Sequence, residues 1–306
     1  MTRRALALLA ALIAFGAVLT GCSGAGATSG RPQIVVTTNI LGDVVSRLAG
    51  EQADVMTLMK PDADPHSFEI SAQQADRLAQ ADLLVSNGLG LEEGLQQHLD
   101  RAAEARVRMF VAGDRIDVLP YADGDARGAP DPHFWTDPAR MRDVVDALEP
   151  ALAGIDGVDA AAIRANADAY RADLAALDAE MTAAFAAIPV EKRALVTNHH
   201  VFGYLADRFG FRMVGAVIPG GTTLAAPSAA DLRNLVTAIE EAGVRAVFAE
   251  SSQPDRLVRV LAEEADLRVE VVELYTESLT APGKGADSYL TMMRANTARI
   301  AHGLGA

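Results

Sequence analysis

The chain has 306 residues, of which 50% are hydrophobic, and a formal net charge of −14. That acidity excludes nucleic acid and anionic membrane surfaces as natural partners, since both repel a negatively charged protein. A single cysteine permits no internal disulfide, so the fold must rest on its apolar core, and the length suits two domains better than one.

The first residues read as a leader and not as fold. Thr2-Arg3-Arg4 is a short basic stretch, Ala5 to Leu19 is apolar and uncharged, and Leu19-Thr20-Gly21-Cys22 follows with the lone cysteine. This pattern predicts a secretory signal peptide over residues 1–21, cut before Cys22. The apolar run falls short of the ~20 residues a membrane-spanning helix needs. Leu-Thr-Gly-Cys resembles the lipobox of bacterial lipoproteins, whose cysteine becomes the lipidated first residue. Residues 22–31, rich in Ser, Gly and Ala, read as a flexible tether.

Beyond the tether, Val- and Ile-rich runs alternate with helical patterns. Strands are predicted over Gln33–Thr38, Ala53–Met59, Asp82–Ser86 and Val107–Ala112. Helices are predicted over Leu41–Ala49, Ser71–Gln80 with Ser71 as N-cap, Glu92–Ala105 and Pro138–Ala153. Such alternation implies β-α units and a mostly parallel sheet. Residues 158–188 break the rhythm with no Gly or Pro, and Ile163, Tyr170, Leu174, Leu177, Met181 and Phe185 form one apolar stripe. They read as a single long helix joining two lobes, because the alternation then resumes. Strands are predicted over Ala194–Asn198, Met213–Ile218, Val244–Ala249 and Val269–Tyr275, with helices over Phe202–Phe209, up to Ala242, over Pro254–Ala265 and over Ala286–Gly303. The expected architecture is α/β: a first lobe at 32–155, a bridging helix at 156–189 and a second lobe at 190–306.

The histidines carry the chemistry. Asp-Pro-His occurs twice, at Asp64-Pro65-His66 and Asp131-Pro132-His133, each time with an aromatic residue two positions later in Phe68 and Trp135. Proline fixes its own φ and keeps the preceding residue extended, which sets an imidazole on a stiff loop. The aspartate either orients the ring or caps nearby amides. His199 and His200 follow a predicted strand directly, and so does Glu277. Ligands of open α/β sheets bind beyond the carboxyl ends of strands, so these groups can converge in one cleft. His98 and His302 read as solvated. Three imidazoles, from His66, His133 and either His199 or His200, with one carboxylate suit Zn²⁺, while manganese favours more oxygen ligands. No His-Glu-x-x-His motif, Gly-x-Ser-x-Gly elbow or phosphate loop is present. The alternatives are a manganese- or iron-binding protein and a secreted zinc hydrolase with Glu277 as base.

Taken together, five segments resemble the zinc- and manganese-specific solute-binding proteins of bacterial ABC transporters, with the TroA-like fold. They are Asp64 to Glu69, Asp131 to Pro138, Asn198 to Leu205, Val247 to Glu250, and Leu274 through Glu277-Ser278-Leu279 to Met293. The resemblance implies two α/β lobes bridged by one long helix, with the metal between them. It implies His66, His133 and His199 as ligands, with His200 standing where the family has an aspartate. The fourth ligand position carries Glu277 in place of the usual aspartate, with Asp287 as the second candidate. Asp64, Asp131, Glu250 and His200 are then expected to support the ligands. The stretch Asp117 to Ala129 holds Asp123 and Asp125 but none of the histidines that fill this loop in many zinc members. The implied role is a monomeric, lipid-anchored, extracytoplasmic zinc carrier working with an ABC permease, its ATPase and a metallochaperone. It is not an enzyme, and the loop bearing Glu277, near Gly283 and Gly285, is the expected moving part.

Overall fold

The computed structural model describes residues 30–305 except 123, 219, 253–255 and 265–268. The predicted leader, Cys22 and all but the end of the tether therefore lie outside the described residues, as does Asp123. Among the described residues no helix is long and apolar enough to cross a membrane.

Two four-stranded, wholly parallel sheets form the two lobes. The first holds β1 (Gln33–Val36), β2 (Asp54–Thr57), β3 (Leu83–Ser86) and β4 (Met109–Val111), in the order β2-β1-β3-β4. The second holds β5 (Ala194–Thr197), β6 (Arg212–Ala216), β7 (Ala246–Glu250) and β8 (Glu270–Leu274), in the order β6-β5-β7-β8. The connectivity is therefore the same in both lobes. β3, β5 and β7 are buried along their whole length, as expected of strands covered by helices on both faces.

Several strands end earlier than the sequence pattern suggests, because the last residues turn out to do other work. Thr38, predicted to end β1, caps the helix Asn39–Ala49, its hydroxyl accepting from Leu41 N. The predicted helix Glu92–Ala105 is split into a 3₁₀ turn at Glu93–Leu95 and a helix at Gln96–Glu104. Glu92 sits apart from both, because its buried carboxylate accepts from Thr37 Oγ1, Asn87 N and Gly88 N. The last helix begins at Tyr289, three residues late, where Ser288 and Thr291 form a capping box.

The bridging helix runs over Ala160–Ala186, with Asp159 as its cap. Its predicted stripe, joined by Ala167, is buried throughout. It lies on the helices Asn39–Ala49 and Pro138–Ala153 of the first lobe and on Tyr289–Gly303 of the second. Each large apolar side chain so buried contributes roughly 1.5–3 kcal/mol. Its outer face pairs in both directions: Arg171 with Asp146 and Glu149 on one side, Asp178 with Arg208 and Glu180 with Arg294 on the other. These exposed pairs each add little beside the apolar stripe. One hydrophobic cluster runs continuously from the first lobe through this helix into the second.

Candidate metal centre

The carboxyl ends of both sheets face one another, and four buried side chains meet there. His66 stands in the loop after β2, where Asp64 Oδ1 accepts from His66 N at 2.9 Å and Asp64 Oδ2 accepts from Ser67 Oγ at 2.9 Å. His133 repeats the arrangement with one difference. Asp131 Oδ1 accepts from His133 N at 2.9 Å and also lies 2.7 Å from His133 Nδ1. The second aspartate thus orients the ring, while the first caps a backbone amide and a hydroxyl. Gly203 makes room for this: a Cβ there would lie 2.5 Å from Asp131 Oδ2. His199 follows β5 directly, its Nδ1 hydrogen-bonded to Glu250 at the end of β7. With their Nδ1 atoms bonded to carboxylates, His133 and His199 present Nε2 inward, the usual outer support of a metal-binding imidazole.

Glu277, in the loop after β8, closes the group. Its Oε1 lies 3.1 Å from His66 Nε2, 3.2 Å from His133 Nε2 and 3.2 Å from His199 Nε2. The two nitrogens of His133 and His199 are 3.3 Å apart. Four of the six separations among these donors are thus 3.1–3.3 Å, and a regular tetrahedron with such edges has its centre about 2.0 Å from each corner, the bond length of tetrahedral zinc to nitrogen and oxygen. All four residues are at most 1% exposed. The second carboxylate oxygen of Glu277, also buried, has no hydrogen-bond partner among the described residues. A buried carboxylate left half-satisfied and ringed by three imidazoles fits a cation better than it fits a closed hydrogen-bond network.

The family model for the zinc-uptake complex component A, periplasmic, matches residues 34–303. The chain belongs to this family. Its members are metal-binding substrate-binding proteins of ABC transporters, and transport is their role rather than catalysis. Among curated relatives, a manganese-binding lipoprotein of Halalkalibacterium halodurans is 29% identical over 89% of this chain and 88% of its own length. An iron-binding protein of Yersinia pestis is 28% identical over 91% of this chain and 88% of its own length. Among solved structures, the periplasmic zinc-binding protein TroA of Treponema pallidum superposes with a TM-score of 0.82 at 26% identity. That match covers 90% of this chain and 100% of the other.

The electrostatics of these four side chains follow from burial opposed by pairing. Burial alone would push the Glu277 carboxyl up, but charge on His199 and hydrogen bonds from the three imidazoles hold it well below the usual range. Burial would lower His199, but the charges and hydrogen bonds of Glu250 and Glu277 raise it well above an ordinary histidine. His133 is raised in the same way, by Asp131 and Glu277 against burial.

Other candidates fall elsewhere. Asp287 is exposed and accepts from Gly283 N and Thr291 Oγ1, so it plays no part among the four donors. His200 lines the neighbouring cavity, with its ring 6.5 Å from that of Tyr121, and is not among the four donors. The residues that sequence reasoning passed over anchor the Glu277 loop. Asn39 Oδ1 accepts from Leu279 N at 2.9 Å and its amide donates to Ser278 Oγ at 2.8 Å. Trp135 Nε1 donates to Thr276 O at 2.8 Å, and Tyr289 Oη donates to Trp135 O at 2.7 Å. Asn39 had the same signal as His199, a polar residue just past a strand end, whereas nothing local marks Tyr289.

Proposed function

We propose that this family member is a zinc carrier: a lipoprotein anchored through Cys22 that binds one Zn²⁺ outside the cytoplasm and delivers it to an ABC permease and its ATPase. The observation that supports it is the donor set, three imidazoles and one carboxylate, with four of the six donor separations at 3.1–3.3 Å, as suits a tetrahedral ion. His66, His133, His199 and Glu277 are the ligands in this reading, and Asp131 and Glu250 fix two of the rings. The manganese- and iron-binding names of the relatives favour a second reading, the same carrier with manganese or iron as cargo. Nitrogen-rich, four-cornered coordination weighs toward zinc, because manganese prefers more oxygen ligands and higher coordination. A hydrolase would keep a coordination position open for water, and four protein donors leave none. A monomer loaded by a metallochaperone fits the His-free stretch 117–129, which lacks a capture device of its own.

The test is to strip the protein and offer equimolar zinc and manganese, then count bound metal by inductively coupled plasma mass spectrometry. One zinc per chain with manganese excluded is the expected result. Stoichiometric manganese would transfer the assignment to the second reading.

Proton competition gives a further expectation. His199 and His133 hold protons to higher pH than free histidine, and a metal must displace them. Zinc affinity should therefore rise with pH through and beyond the ordinary histidine range, and loading at neutral pH should release protons. Calorimetric titration in buffers of different ionisation enthalpy reads the proton count directly. Binding heats independent of buffer would mean that the imidazoles are already neutral before metal arrives.

A further inference from the structure

The four donors are closed off from solvent, so something must move each time metal enters or leaves. The loop bearing Glu277 is a poor choice, since Asn39, Trp135 and Tyr289 tie it down on two sides. A different segment touches every histidine loop. Residues 217–218 and 220–226, between β6 and the helix Ala229–Ala242, start beside His199, where Val217 N and Ile218 N donate to Thr197 O and Asn198 O. The segment then reaches across to the first lobe. Gly221 O accepts from Tyr121 Oη at 2.9 Å, and Thr223 Oγ1 donates to Asp64 Oδ2 at 2.7 Å. Asp64 holds the His66 loop, and the Tyr121 hydroxyl lies 3.4 Å from His133 Nδ1.

Tyr121 also lines a cavity of about 600 Å³ together with Asp131, His200, Gly203 and Met213. It therefore stands between that cavity and His133. It fits there only because residue 221 lacks a side chain: a Cβ at Gly221 would lie 2.7 Å from three atoms of the tyrosine.

We propose that residues 220–223 form a strap across the two lobes, and that Tyr121, held by the strap, is the positioning residue that sets the rate of metal exchange through the neighbouring cavity. The proposal rests on the metal-carrier reading given above. On this proposal the same strap bonds stand in the empty and the loaded protein, so loosening them speeds entry and exit together and leaves the equilibrium affinity nearly unchanged. A side chain that merely supported a ligand would behave otherwise, raising the exit rate at the expense of affinity.

The experiment compares the wild-type protein with Thr223→Val and Tyr121→Phe. Zinc release is followed by stopped flow into a chromophoric chelator and capture by rapid mixing of the stripped protein with zinc. Thr223→Val keeps the side-chain shape and touches no metal ligand. Loss of one such hydrogen bond should accelerate both release and capture by about five- to tenfold, with the dissociation constant within about threefold. Gly221→Ala, which displaces the ring instead of removing a bond, should do the same. Unchanged rates in all three variants overturn the proposal, and so does faster release matched by an equal loss of affinity. A wild-type protein that binds neither zinc, manganese nor iron overturns the carrier reading itself and the strap with it.

Discussion

His199→Ala is expected to weaken zinc binding by about a hundred- to a thousand-fold. A four-ligand structural zinc site is worth about 10–16 kcal/mol, so one ligand's share is about 3 kcal/mol. His199 has a further reason to lie at the upper end. Its removal leaves Glu250, buried at the end of β7, without the imidazole that now satisfies one of its oxygens, while the other oxygen has no hydrogen-bond partner among the described residues. Glu250→Gln separates the two contributions. It keeps the size and a hydrogen-bonding group but removes the charge that holds the ring, and should cost about ten- to a hundred-fold. Competition titration against a chelator of known affinity measures both. A loss below tenfold for His199→Ala would take that residue out of the centre and reopen His200 as the third ligand.

Phe185→Ala is expected to destabilise the fold by about 3–5 kcal/mol, the cost of emptying a large aromatic site in a packed interior. Phe185 is buried near the end of the bridging helix, edge-on to Phe209 at 5.1 Å and to Phe211 at 5.0 Å. Both partners belong to the second lobe, so the triad fastens the bridge where it leaves for that lobe. For a protein of this size the melting temperature should fall by roughly 10 °C, while metal stoichiometry at low temperature stays at one. Thermal unfolding followed by circular dichroism gives the answer. A fall of under about 2 °C would mean that the lobe is held by its other contacts and that the aromatic triad is dispensable.

Much of the architecture was legible because its signals are periodic and local. The stripe from Ile163 to Phe185 has helical spacing and is buried where that spacing puts it. The parallel sheets follow from buried Val- and Ile-rich strands between helices. The convergence of His66, His133 and Glu277 with one of the adjacent pair His199 and His200 is legible from the repeated Asp-Pro-His and from a rule about strand ends, while the choice of His199 comes from the family resemblance. The difference between the two aspartates was not, because whether a side chain turns to a ring or to a backbone amide depends on neighbours such as Gly203, which lies far away in the chain. Strand and helix ends were misjudged where a polar side chain took a backbone partner, as at Thr38, Glu92 and Ser288. Tyr121 and the segment it meets were invisible for the same reason: a hydroxyl and a carbonyl 100 residues apart leave no pattern in the sequence.

The donors are shared evenly between the two lobes: His66 and His133 come from the first, His199 and Glu277 from the second. Neither half supplies more than two ligand side chains, so a bound metal would be a cross-link between points as much as 211 residues apart. Whatever binds only the folded chain stabilises it by mass action, and here that stabilisation falls on the contact between the halves. Cargo and structure would therefore be coupled, with the seam stiffer in a loaded carrier than in an empty one. A permease that reads the rigidity of that seam can tell the two apart without touching the ion.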